Sequence, residues 1–424
     1  MPKFCLAVYL LIPAAGCAVQ MPMNMGGAAA TPVENVLRHS GSGTDLEPGS
    51  SVPPMMMKMR PSGWMLMLHG EVWIAEQQQT GLRGRDKLFS TNWVMPMAQR
   101  QFGAGQLTLR MMLSLEPATI SGRFYPELFQ QGETAFGKPI QDGQHPHDLF
   151  MELAGFYDRK LGSHAVATLY GGPVGDPALG PEAFPHRASA SEDPLAPLGH
   201  HLEDSTHIAW DVVTGGVTVG GDRLGARVEA SGFHGREPDE NRWHIEVGAV
   251  DSWAGRLSVL PVRDWVGQYS LGRLHSPEEL HPTEDVLRQT ASLTWHHAFP
   301  GVTSNGVAVW GRNHTVGSTE KANGYLAEMT LWMGGRQSAW TRLENADRTT
   351  DLLPNPPSDE TVVGRVPAWT FGYAHHLWGW SGSEMELGAQ YTGYRAPERL
   401  LPYYGDYPWG VAAVFKVQIG RGRE

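Results

Sequence analysis

The chain contains very little cysteine. Cys5 and Cys17 are its only two cysteines, and both lie near the N-terminus of the 424 residues. A disulfide framework and a Cys-based zinc site are therefore excluded for nearly the whole chain. Apolar runs long enough to form a membrane-spanning helix are also lacking after the N-terminus, which excludes a helical membrane protein.

Basic residues and catalytic motifs are scarce as well. The 33 Lys and Arg are outnumbered by 44 Asp and Glu, which gives a net charge of −11, and they form no basic stripe. This argues against a nucleic-acid partner. The sequence has no Gly-x-Ser-x-Gly, P-loop or His-Glu-x-x-His motif. We therefore predict that the chain is not an enzyme, with a lipase-like outer-membrane hydrolase as the alternative.

What is present from Gly63 onward is an alternation of apolar and polar residues with a period of two, which is typical of β-strands. The alternation predicts about sixteen strands, most near ten residues long, a length that crosses a bilayer when the strand is tilted. The predicted strands are 64–75, 87–98, 106–116, 148–158, 163–171, 207–219, 224–233, 249–260, 264–274, 286–297, 303–313, 325–333, 337–347, 367–378, 384–394 and 411–419.

The connections between these strands are alternately short and long. Short turns fall near 102–105, 160–162 and 261–263, whereas 117–147 and 172–206 are long. A bacterial outer-membrane barrel has this asymmetry, while a soluble sandwich or propeller gives no reason for it. We predict an all-β fold, a transmembrane antiparallel up-and-down β-barrel of about sixteen strands over 63–424, embedded in outer-membrane lipid.

The N-terminus reads as an export segment followed by a linker. Lys3, an apolar run over Phe4–Ile12 and small residues predict a signal sequence over 1–18. The end of this run resembles a bacterial lipobox, with Cys17 as the lipidated residue, and cleavage after Ala18 is the alternative. Residues 19–62 are rich in Met, Gly and Pro without a sustained period, and we predict a disordered linker.

Charged residues of both signs fall on the predicted lumen face of the strands. They indicate either a water-filled channel, in which such charges set selectivity, or an ion-paired plug that conducts nothing. The predicted lumen charges are Arg110, Glu152, Arg227, Glu229, Arg256, Arg288, Arg312, Glu328, Arg342 and Glu344.

Methionine and histidine are the second candidate feature. Thioether and imidazole groups suit copper, and carboxylates extend the set to another divalent metal; flexible apolar filler or a hydrogen-bonded polar loop is the alternative. No other cofactor is predicted. The loop 172–206, stiffened by proline, is interpreted as a lid or pore constriction. The candidate metal ligands are Met65, Met67, His69, Glu71, His145, His147, His200, His201 and His207.

In overall plan the chain resembles bacterial copper resistance protein B. The matching features are the Met-rich segments Met21–Met25 and Met55–Met59 and the strand series from Gly63, although the long Met/His tract of that family is reduced to these two short clusters. The segments 63–70 and 142–148 are also similar to those of uncharacterised bacterial outer-membrane proteins. The resemblance implies an outer-membrane barrel concerned with copper.

The predicted function is a channel or porin-like protein of the outer membrane for a small solute, with a possible connection to copper. A non-conducting barrel whose outer loops bind a ligand or partner is the competing function. The sequence does not indicate an oligomeric state.

Overall fold

A computed structural model describes residues 31–204, 209–221, 224–357, 360–380 and 382–420. In these residues twenty strands dominate four short helices. The helices are α1 Pro32–Arg38, α2 Glu116–Thr119, α3 His200–Glu203 and α4 Leu401–Tyr404. The strands are β1 Met56–Met59, β2 Met65–Gln79, β3 Lys87–Phe89, β4 Asn92–Phe102, β5 Gly105–Leu113, β6 Tyr125–Ala135, β7 Lys138–Gln144, β8 Phe150–Lys160, β9 Ala165–Gly175, β10 Ala209–Gly220, β11 Gly225–His234, β12 Ser252–Val262, β13 Trp265–Leu274, β14 Val286–Phe299, β15 Val302–Thr315, β16 Lys321–Met333, β17 Gln337–Thr349, β18 Val362–Trp380, β19 Ser383–Tyr394 and β20 Trp409–Ile419.

Sixteen of these strands form one closed antiparallel barrel, which confirms the predicted fold class. Within the barrel each strand pairs with the barrel strands before and after it in the chain. The other four are β1 and β3, which each pair only with β2, and the β6–β7 hairpin, which stands outside the barrel sheet. The ring closes where β20 pairs with β2, in a register that runs from Gly70 opposite Ile419 to Gln79 opposite Gly410. Closure satisfies the backbone hydrogen bonds of both edges, as a strand structure in lipid requires.

Side chains alternate between the lumen and the outward face along each strand. In β11, Arg227 and Glu229 are buried in the lumen while Val228 between them is 61% exposed on the outside. The other barrel strands place large apolar side chains outward in the same way. This arrangement gives lipid an apolar surface and keeps charges inside. None of the helices in the described part of the chain is long and apolar enough to cross a membrane.

One correction concerns Arg312. The sequence analysis placed it in the lumen, but in β15 it lies on the outward face, where its guanidinium stacks on Trp310 and donates to the Asn323 side chain. Gly311 and Asn313, its chain neighbours, take the lumen positions. Because β15 extends past the apolar band toward its long loop, the outward face there is polar, so polarity no longer distinguishes the two faces.

A second difference concerns the predicted linker. The signal sequence and residues 19–30 lie outside the described residues, but residues 31–50 are ordered and largely buried. The segment opens with α1, capped by the Thr31 hydroxyl and by Glu34 at the third helical position. Its polar groups bind barrel side chains: Arg110 donates to the carbonyl of Gly41, and His39 Nε2 lies 2.6 Å from Asp158 Oδ2. We call residues 31–50 the N-terminal plug.

The N-terminal plug enters the lumen from the end of the barrel that carries the short turns. The Ser50 amide donates to the Arg263 carbonyl in the β12–β13 turn. Side chains of Gln99 and Gln106, beside the β4–β5 turn, donate to the Leu37 carbonyl. The segment therefore fills the lumen at the short-turn end.

The connection between β9 and β10 also lies in the lumen. We call its described residues 176–204 the inner loop. Its Gly180 amide donates to Ser270 on β13, and its Arg187 pairs with Glu328 on β16. The Ala178 amide of the loop also donates to Ser231 on β11, and its Glu192 lies 3.3 Å from Lys416 on β20. Because β11 and β20 stand on opposite sides of the ring of strands, the inner loop crosses the lumen, where the sequence analysis expected a lid or constriction.

Candidate functional site: the occluded lumen

The lumen charges form ion pairs that hold the inserted segments. Arg110 pairs with Glu152 at 2.8 Å, and Arg256 joins Glu229 to Asp45 of the N-terminal plug. Glu328 accepts from both Arg187 of the inner loop and Arg342 of β17. Nine of the ten predicted lumen charges are buried, Arg312 being the exception. Seven of the nine form ion pairs, whereas Arg288 donates to the Asn313 side chain and Glu344 accepts from the Leu198 amide. The charged residues thus line the lumen, but they are bonded to protein groups rather than arranged around open water.

A cavity rich in carboxylates opens at the long-loop end. Among the described residues that line it, Lys321 and Arg348 are the only Lys or Arg, and His201 and His281 line it as well. Burial, and then repulsion by Glu360, raise the pKa of Glu278 well above its usual value, as expected where negative charges are crowded without a counter-ion. We call this cavity the vestibule. Its acidic lining residues are Glu133, Glu237, Glu278, Glu279, Glu320, Asp347, Asp351 and Glu360.

Three of the predicted histidine ligands meet at the base of the vestibule. The rings of His145, His200 and His201 each offer a nitrogen, and these nitrogens lie within 4.8 Å of one another. His201 itself lines the vestibule, and His145 Nε2 lies 3.1 Å from Glu133 Oε1. Burial lowers the pKa of His145 well below its usual value, so its ring is neutral at pH 7. The arrangement can hold a cation through neutral imidazole.

The remaining predicted ligands are dispersed. His147 bonds to Glu116 at 2.9 Å, and Glu71 lies beside Lys416 and Gln418. His207 lies outside the described residues. Met65, Met67 and His69 share the lumen face of β2, but Met65 is only half-buried. The nine residues therefore do not form one site, and their role in metal binding stays a prediction.

Further sulfur and imidazole side chains lie near His69 that were not among the predicted ligands. Met95 stands directly opposite His69 in the β2–β4 pairing, and His186 of the inner loop approaches the same ring. Met97, Met112 and Met151 pack in the same buried cluster. The alternation of β4, in which Trp93, Met95 and Met97 share a face, was the available signal for the two methionines. His186 belongs to the histidine-rich loop 172–206, but no signal in the sequence pointed to its contact with His69, which is 117 residues away.

Sixteen closed strands, an apolar outer surface and a charged lumen define a porin-like β-barrel of the bacterial outer membrane. The solved structures that it resembles agree with this class. An anion-selective porin from Comamonas acidovorans superposes with a TM-score of 0.51 at 10% identity, over 84% of this chain and 100% of that chain. OmpF of Salmonella typhi, in a complex with daunomycin, superposes with a TM-score of 0.50 at 9% identity, over 85% and 100%.

These identities show the fold alone. No protein-family model matches the sequence, and no curated protein matches it at a significant level. The outer-membrane location predicted from the sequence is confirmed by the closed barrel with its apolar outward face. The expectation that the chain is not an enzyme stays a prediction, and so does the connection to copper.

Proposed function

We propose that the protein is an occluded, porin-like channel that admits small cations from the outer face of the membrane. The observation that carries this proposal is the vestibule, in which eight carboxylates face two basic side chains at the mouth of a sixteen-stranded barrel. Such a surface concentrates cations and repels anions. Selectivity opposite to that named for the Comamonas porin is therefore expected.

Two features support a channel that opens and closes, rather than a pore that is always open. The N-terminal plug fills the short-turn end, which faces the periplasm in barrels of this kind. The inner loop crosses the middle of the lumen on buried ion pairs with Glu328 and Arg342. A barrel of this strand number otherwise leaves an aqueous channel, so these two segments account for the closure. The same filling supports the second candidate function, a non-conducting barrel that binds a ligand in the vestibule.

The reversal potential of the purified full-length protein in a planar bilayer separates these functions. Under a KCl gradient we expect intermittent openings with a reversal potential on the cation-selective side. In the double variant Glu279→Gln, Glu320→Gln, which changes two other carboxylates that line the vestibule, the cation-to-anion permeability ratio should fall by about twofold to threefold, since both side chains lose their charge.

The matched control is Glu398→Gln, which removes one exposed carboxylate outside the vestibule and should leave the ratio unchanged. A bilayer that stays silent at every voltage would remove the channel and leave the ligand-binding barrel. Openings that prefer chloride would contradict the proposed role of the vestibule.

A further inference from the structure

Three soft or borderline donor atoms converge on the lumen wall next to the inner loop. His69 Nε2 lies 3.4 Å from His186 Nε2 and 3.4 Å from Met95 Sδ. All three side chains are buried: His69 is 3% and Met95 0% exposed, and the His186 side chain is 4% exposed. Trp93 closes one side, with its ring 5.1 Å from that of His69 and 5.0 Å from that of His186.

The separations match the edges of a metal coordination polyhedron. Metal–nitrogen bonds near 2.0 Å at a tetrahedral angle place two nitrogens about 3.3 Å apart, and one bond to nitrogen and one of about 2.3 Å to sulfur place those atoms about 3.5 Å apart. Both observed separations are 3.4 Å. Without a metal the same spacing fits an N–H group of His69 Nε2 that points at His186 Nε2. When the ion binds, that proton leaves Nε2 and the ring carries its proton on Nδ1 instead, so both imidazoles stay neutral.

A carboxylate fixes the orientation of His186. Glu182 Oε1 lies 2.5 Å from His186 Nδ1. This contact puts the ring proton on Nδ1 and leaves the lone pair of Nε2 facing His69 and Met95. Metal-ligating histidines commonly have such a carboxylate behind them. Burial lowers the pKa of His186 to about 4, which keeps the ring neutral and able to bind a metal at pH 7.

The chemistry of the three donors selects a soft ion of low charge. One thioether and two imidazoles carry no charge, and the described residues around them include four more buried methionines, Met67, Met97, Met112 and Met151. Thiolate cannot contribute, because the only cysteines are Cys5 and Cys17. Burying a divalent ion with neutral ligands costs much more desolvation energy than burying a monovalent one. Thioether sulfur also favours Cu(I) over hard cations.

We propose that His69, His186 and Met95 form a binding site for Cu(I), placed where the inner loop meets the barrel wall. The Cu(I) site names the ion that the proposed cation channel would take up. It rests on the proposed function only for the route by which the ion reaches the lumen. Because one ligand comes from the inner loop and two from barrel strands, a bound ion joins the loop to the wall and favours the occluded state.

The test measures how tightly the full-length protein in detergent binds Cu(I), which ascorbate keeps reduced. The protein competes for the ion with a chelator that becomes coloured when it binds Cu(I), so the loss of colour reports binding to the protein. We expect one tightly held ion per chain, and X-ray absorption should show nitrogen neighbours near 2.0 Å and one sulfur neighbour near 2.3 Å, the usual bond lengths for these donors. The double variant His69→Leu, His186→Leu should lower the affinity by at least 100-fold, since loss of an orienting second-shell partner alone costs 10–100-fold.

Met95→Leu removes the sulfur at nearly constant volume, so it should fold normally, lower the affinity by about tenfold and abolish the sulfur signal. The matched control is Met329→Leu, on the outward face of β16. Heat-modified migration on a gel reports that each variant is folded. Equal Cu(I) affinity in the wild type and in the folded double variant would overturn the site, as would tighter binding of Zn(II) than of Cu(I).

The outcomes separate this site from the proposed function. A silent bilayer together with Cu(I) binding that depends on the three residues contradicts the channel but supports the site. If cation currents are recorded but the Cu(I) affinity does not change when the three residues are substituted, the channel is supported and the site is overturned.

Discussion

Removal of the N-terminal plug is expected to raise the single-channel conductance of the barrel severalfold, because it opens the short-turn end of the aqueous channel that sixteen strands enclose and leaves the inner loop as the remaining obstruction. The variant lacks residues 31–50 and joins residue 30 to residue 51, ahead of β1. The conductance is measured by planar bilayer recording in symmetrical KCl, and the full-length chain is recorded under the same conditions as the reference.

The barrel should survive this deletion because its own ion pairs remain. Arg110 loses the carbonyls of the plug but keeps Glu152, and Arg256 loses Asp45 but keeps Glu229. Asp158 loses His39 yet still accepts from the Thr168 hydroxyl. Water enters the lumen when the plug is removed. Each of these three side chains then keeps at least one of its protein partners.

The matched control replaces residues 31–50 by a Gly/Ser sequence of equal length. It tests whether the length of the segment, rather than its side chains, obstructs the lumen. It keeps the chain length but lacks the α1 cap and the side chains that bind the lumen. We expect it to conduct nearly as well as the deletion. A folded deletion variant with the conductance of the full-length chain would show that the plug does not obstruct the lumen.

The strands could be predicted from sequence because their determinants are local. In β5, Thr108, Arg110 and Met112 point inward while Leu109 is 48% exposed, so neighbouring residues report the two faces directly. Antiparallel neighbours joined by short turns then follow from chain order. All sixteen predicted segments overlap barrel strands for this reason.

The contents of the lumen could not be predicted in the same way. The plug has the composition of a solvated linker. Its order depends on Arg110 and Arg256, which lie 69 and 211 residues along the chain from their plug partners Gly41 and Asp45. His69 and Met95 could be placed on one face each, yet their contact with His186 depends on the path of the inner loop through the lumen. Such distant pairings leave no periodic signal in the sequence.

Glu328→Ala is expected to cost about 3–5 kcal/mol of stability, the usual loss when one partner of a buried ion pair is removed. Glu328 accepts from Arg187 at 2.7 Å, from Arg342 at 3.0 Å and from the Ser189 hydroxyl at 2.8 Å. The alanine variant leaves two buried guanidinium groups with only Asp204 and Asp193 as carboxylate partners. Urea unfolding in lipid vesicles, followed by tryptophan fluorescence, measures the loss.

Two controls show whether burial is the cause. Glu328→Gln keeps an acceptor oxygen at the same place, so it should cost less than the alanine variant, although the guanidinium groups still lose a charge partner. Asp285→Ala breaks the pair with Arg273, whose side chain is 51% exposed, and should cost less than about 1 kcal/mol. Since Arg187 belongs to the inner loop, the alanine variant should also open more often in bilayers than the Asp285 variant does. If the two variants lose equal stability and open equally often, Glu328 does not hold the inner loop in the lumen.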